Sequence, residues 1–137
     1  MAGRVLTVSA AVLPDPTDGE VRVRMTGLAL NRAKALFRDG DYLFGANFPT
    51  RIGNEGVGVI EAVVDDVRGF EVSQRVNTLA PDNESTHGYA ADYNNVSQDK
   101  LLPAPDGLTD RQAATARIPF LTTYHHFVEI KHAADGR

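Results

Sequence analysis

Gly53-Asn54-Glu55-Gly56-Val57-Gly58-Val59-Ile60-Glu61-Ala62-Val63-Val64 decides the fold class. From Gly56 onward the run is rich in β-branched residues and reads as the strongest strand in the chain. Its glycines are spaced GxxGxG, not GxGxxG, and they lead into a strand. A dinucleotide fingerprint needs a helix N-terminus aimed at the pyrophosphate. The glycines are therefore read as places where another backbone comes close or where the strand coils sharply.

Working outward, Glu20-Val21-Arg22-Val23-Arg24-Met25 alternates strictly and predicts a half-buried strand with Val21, Val23 and Met25 on one face. It follows a dense turn signal, Pro14 to Gly19. Arg4 to Leu13 alternates loosely and is read as a strand. Arg75 to Leu79 and Tyr89 to Val96 are further short strands. Leu101-Leu102 precedes a second turn cluster, Pro103 to Gly107. Short strands separated by turns predict a barrel or a sandwich. Asn31 to Arg38 predicts a short helix stopped by Asp39-Gly40. Residues 40–54 form a long loop whose aromatics argue for packing rather than disorder.

The C-terminal part is helical. Thr109-Asp110-Arg111-Gln112 fits a capping box, and a short helix through Ala116 follows. Pro119 suits the first turn of a second helix running to about Lys131. Phe120, Leu121, Tyr124, Phe127 and Val128 predict its buried face.

Composition narrows the function. The chain has 137 residues, enough for one core but not for two full domains. Apolar residues make up 42% and charged residues 23%, a globular composition. The net charge of −4 argues against nucleic acid as a partner. Zero cysteines exclude disulfides, thiolate nucleophiles and cysteine-based zinc sites. No stretch reads as a membrane span or signal peptide, and a cytoplasmic location is the expectation. Adjacent His125 and His126 on a helix point about 100° apart and do not share a metal easily. No serine sits in a nucleophile elbow.

What remains is a polar set in an apolar framework: Asn31, Tyr42, Asn54, Glu55, Thr122 and Thr123, with the threonines expected on the inward side of the last helix or close to it. A tyrosine hydroxyl can donate a proton or hydrogen-bond an oxyanion, and amides can orient a carbonyl. Spacing leaves open whether these residues converge or serve turns.

The order of segments resembles a known family. Glu20–Arg24, Gly27–Lys34, Phe48–Val63, Gly69–Val76, His87–Tyr93 and Leu102–Tyr124 look like the catalytic domain of medium-chain dehydrogenases/reductases. The resemblance covers residues 4–132. It implies a mainly β fold with short helices, a GroES-like β-barrel spanning residues 1–116. Residues 117–137 would begin an interdomain helix leading toward a Rossmann domain absent from this sequence. Asn31, Asn54 and Ile118 stand where zinc-dependent members carry ligands, and the structural-zinc lobe is missing. The resemblance therefore implies the zinc-free branch of quinone oxidoreductases and related enoyl thioester reductases. Ile52 replaces a usual proline there, and Val64 and Ser73 replace usual glycines.

Within that branch the resemblance implies catalytic roles for Tyr42 and Asn31, and nicotinamide contacts for Asn31, Tyr42 and Thr122. NADPH is the implied cofactor of a longer parent, with no tight binding expected to this chain and no zinc. Partners would be a small quinone or enone and a Rossmann domain in cis or trans; a homodimer is a further expectation. The alternative is a free-standing barrel that binds or self-associates through residues 119–131 without catalysis.

Overall fold

The computed structural model describes residues 6–43, 45–81 and 88–130. Five strands form one antiparallel sheet: β1 (Glu20–Leu28), β2 (Glu55–Val63), β3 (Arg75–Leu79), β4 (Tyr93–Ser97) and β5 (Leu101–Pro103), in the spatial order β4-β1-β2-β3-β5. The helices are α1 (Arg32–Asp39), α2 (Asp110–Ala114) and α3 (Arg117–Tyr124), the last continuing as a π-helical turn, His125–Ile130. The mainly β class with short helices is the one expected.

β1 owes its place to its alternation. Val21 and Val23 are fully buried, while Arg24 is exposed and pairs with Glu61 at 2.8 Å. The strand aligns Val21 with Val63 on one side and with Val96 on the other. Register shifts at Arg22/Val23 and Met25/Gly27 mark irregularities that bend it. The core gathers Val21, Val23, Ile60, Val67, Val76, Tyr89, Val96 and Leu101. Val96 and Leu101 lie on the two edge strands, yet they share this core. The sheet must therefore curl on itself, and the short 3₁₀ turn Gln98–Lys100 joins its edges.

The β2 glycines do what their spacing suggested. A Cβ on Gly58 would collide with the Arg24 carbonyl oxygen, and one on Gly56 would sit 2.7 Å from that of Gly27. The missing side chains let β1 and β2 lie close. Val57, on the opposite face of β2 from Ile60, packs with Ala104, Ala113 and Ala114 in a second cluster. That cluster is the seat of α2.

β3 fastens α2. Arg75 Nε bonds Asp110 Oδ1 at 2.7 Å, and its other nitrogens donate to the carbonyls of Pro105 and Leu108. The capping box forms: Gln112 N–H donates to Thr109 Oγ1, and Thr109 N–H donates to Gln112 Oε1.

Several expectations need correction. Residues 6–13 of the expected Arg4–Leu13 strand form no strand, because they pair with no backbone among the described residues. In place of the expected Tyr89–Val96 strand, β4 begins only at Tyr93 and runs to Ser97, and Tyr89 instead packs into the core. α3 begins at Arg117, two residues before Pro119, which still falls within its first turn. Its apolar face is not buried: Phe120 is 73% exposed and Phe127 72%. No described element lies against that face to cover it. Lys131, the expected helix end, and His87 and His132 lie outside the described residues.

Candidate functional site

A polar cluster stands where α1, β2 and the start of α3 meet. Asn31 occupies the N-cap position of α1 in extended conformation, but its side chain makes no capping bond. The helix is closed at the other end by Gly40, left-handed at φ 88°, whose N–H reaches back to the Leu36 and Phe37 carbonyls. The Ala29 N–H donates to the Glu55 carbonyl at 3.2 Å, which carries the chain from β1 into α1 beside the start of β2.

Glu55 is the centre of the cluster. It is 1% exposed, a rare burial for an acid. Its Oε2 accepts the Ile118 N–H at 2.7 Å. Burial pushes its carboxyl above the usual value. The backbone amides of Ile118 and Arg117, the Arg117 charge and the neighbouring Asn31 amide oppose that rise. Burial in turn pushes the Arg117 guanidinium down, against the pull of Glu55 and Tyr89.

Within the cluster, both amide atoms of Asn31 are buried with no hydrogen bond; elsewhere the same holds for Oδ1 of Asn54, Oγ1 of Thr78 and Oδ1 of Asn94. The Asn31 amide is near enough to Glu55 to influence its carboxyl but does not reach full hydrogen-bonding geometry. Such orphaned groups in a packed interior call for an explanation. Asn77 is the satisfied counterpart: its Nδ2 donates to the Gly56 and Ala113 carbonyls at 3.2 and 2.7 Å.

Of the residues singled out from sequence, Asn31 and the first turn of α3 come together on Glu55. Thr122 lies one turn beyond Ile118 but is exposed, as is Thr123, so neither faces inward as expected. The reason is the uncovered face of α3. Tyr42 is half-buried three residues past the end of α1. Glu55 carries more than its place in the sequence suggested. A carboxylate directly ahead of a glycine-rich buried strand was the available signal.

A cleft of about 970 Å³ lies elsewhere, between residues 6–15 and the Arg51, Tyr89 and Asn94–Ser97 region. None of Asn31, Tyr42 and Thr122 lines it. Burial holds the Arg51 guanidinium there below its usual range. No helix among the described residues is long and apolar enough to cross a membrane.

Comparison with known proteins agrees with this architecture. The chain is 34% identical over 122 residues to a polypeptide of the phenolphthiocerol/phthiocerol polyketide synthase of Mycobacterium tuberculosis, covering 88% of this chain and 5% of that protein. It is 32% identical over 111 residues to quinone oxidoreductase of Pseudomonas aeruginosa, covering 81% of this chain and 33% of that enzyme. The solved quinone oxidoreductase of Thermus thermophilus, known also in complex with NADPH, superposes with a TM-score of 0.68 at 32% identity, over 88% of this chain and 36% of that one. The chain thus spans about a third of the quinone oxidoreductases it matches, and far less of the synthase. Residues 17–106 match the alcohol dehydrogenase GroES-like domain, and the chain belongs to that family, within the medium-chain dehydrogenases/reductases.

Proposed function

We propose that the chain is the zinc-free catalytic domain of an NADPH-dependent oxidoreductase that reduces a conjugated carbonyl, a quinone or an enone. The observation that carries this reading is the Asn31 carboxamide, buried beside Glu55 with neither polar atom partnered. An uncommitted amide suits a cofactor carboxamide or a substrate carbonyl, at small cost in local rearrangement. The names of the relatives supply the reaction class. Two carboxamides at positions 31 and 54 and an aliphatic side chain at 118 make a poor zinc donor set, which supports a zinc-independent reaction.

When bound, the reduced nicotinamide supplies a hydride. Asn31 holds the reacting carbonyl or the nicotinamide amide in orientation. Tyr42 hydrogen-bonds the oxygen that gains negative charge and passes it a proton. Thr122 borders the nicotinamide from α3 once that helix is covered. Residues 117–137 lead toward a cofactor domain in cis or trans, in a cytoplasmic enzyme. An enoyl thioester is the variant substrate of the same reading.

The test is turnover of NADPH with a quinone by this chain joined to a dinucleotide-binding domain. Asn31→Ala with Tyr42→Phe should lower turnover by about a hundredfold or more, on the order of one lost oxyanion contact or beyond. Full turnover in that double variant overturns the assigned roles. The isolated chain should bind NADPH weakly. The exposed apolar face of α3 favours a second reading, a non-catalytic module that self-associates. A concentration-dependent dimer that Phe120→Ser with Phe127→Ser abolishes, together with no turnover in the joined form, would establish it.

A further inference from the structure

We propose that Glu55 is a positioning residue: it sets which end of the Asn31 carboxamide faces outward and holds the start of α3 in the same contact. The inference rests on the reading of Asn31 given above and deepens it.

Three observations carry it. The Glu55 side chain is 1% exposed, so no solvent competes for its oxygens. One oxygen is committed to the Ile118 N–H at 2.7 Å. The Ala29 N–H donates to the Glu55 carbonyl at 3.2 Å, which brings Asn31, two residues on, beside the same residue, and both ends of its amide are buried with no hydrogen bond. A carboxylate only accepts, so the ionised form draws Asn31 Nδ2 toward itself and turns Oδ1 away. A protonated carboxyl can donate, and it draws Oδ1 instead. The same amide therefore offers an acceptor in one state of Glu55 and a donor in the other. A nicotinamide carboxamide or a substrate carbonyl distinguishes these two offers.

Glu55 also joins two distant parts of the chain. Asn31 opens α1, and Ile118 belongs to the first turn of α3. Thr122 is four residues beyond Ile118, hence on the same row of the helix. One carboxyl thus registers Asn31 and Thr122 against each other. Among the described residues, Arg117 is the charged group that acts on Glu55, from α3, and it favours the ionised form; Arg117 in turn feels Tyr89.

The test is nuclear magnetic resonance on the 137-residue chain itself, with no cofactor and no turnover needed. The Asn31 side-chain amide and the Ile118 backbone amide are followed from acid to neutral pH. Both should shift with one common midpoint. In Glu55→Gln both should lose that titration while the Ile118 amide stays protected, since a glutamine oxygen still accepts. In Glu55→Ala the Ile118 amide should exchange roughly tenfold faster or more, the scale of losing a hydrogen bond to a charged group. A titrating Ile118 amide beside an unmoving Asn31 amide overturns the proposal and leaves Glu55 as a helix anchor. A flat response of both in the unaltered chain overturns it as well, and needs no variant to fold. Loss of activity in the joined enzyme with the common titration intact would count against the roles of Asn31 and Tyr42, not against Glu55.

Discussion

Asn77 Nδ2 lies 2.7 Å from the carbonyl oxygen of Ala113 and also donates to Gly56, so one amide on β3 ties α2 to β2. Asn77 is 3% exposed, and water cannot replace these bonds easily. Asn77→Leu should lower unfolding free energy by about 2–3 kcal/mol, because two buried carbonyls lose a donor. Urea unfolding at neutral pH measures it. A loss below about 0.5 kcal/mol, under the usual worth of even one hydrogen bond, would mean that other groups satisfy those carbonyls.

Ser73 sits at φ 72°, left-handed, where the family resemblance leads one to expect glycine. Its N–H donates to the Ile60 carbonyl at 2.9 Å and holds the turn before β3. A non-glycine residue there costs about 1–2 kcal/mol. Ser73→Gly should recover about 1 kcal/mol after the greater entropy of an unfolded glycine is subtracted. A higher midpoint in thermal or urea unfolding is the expected result.

Gly58→Ala tests the close approach of β1 and β2. The new methyl would meet backbone at the Arg24 carbonyl, which has little freedom to move. A loss of about 2–3 kcal/mol is expected, the upper range for overpacking. The β1–β2 amide exchange should rise in step.

Two acids should make stability depend on pH with opposite signs. The Asp110 carboxyl is held below its usual value, first by its hydrogen bond with Thr26 and then by that with Arg75. Its contribution is present above the unfolded value and disappears as pH falls through the folded one. Glu55 is raised by burial, so its contribution is full below the unfolded value, near 4.5, and is lost as pH rises through the folded one. Glu55→Gln should therefore gain on the unaltered chain as pH rises from 4.5 to neutral, by urea midpoint. Asp110→Asn should fall furthest behind the unaltered chain at neutral pH and least well below the usual aspartate value of 3.8.

Much of the sheet was legible because its cause is local. The alternation of Glu20 to Met25 and the β-branched run from Val57 to Val64 announce buried faces directly. Gly40 and the Thr109–Gln112 pair announce helix ends for equally local reasons. Residues 6–13 also alternate, but a strand needs a neighbour, and alternation does not supply one. The apolar row on α3 is a true property of the helix; its burial depends on a surface outside these residues. Asn31 was legible as a polar residue of the resemblance. Its tie to Glu55 was not, since the two meet only when β2 folds back beside the start of α1. The burial of Glu55 comes from that meeting and from Ile118, far along the chain.

The sheet order has a consequence for synthesis. β1 lies between β2 and β4, and its partner Ser97 emerges from the ribosome long after Glu20. At about 5–20 residues per second, the nascent strand waits several seconds with one row of amides and carbonyls open. Arg22 and Arg24 stand on it during that interval, and strand charges of this kind discourage pairing with another chain. In the finished fold Arg22 bonds Asn95 of the late-arriving strand, so a side chain that guards the nascent edge becomes part of its closure.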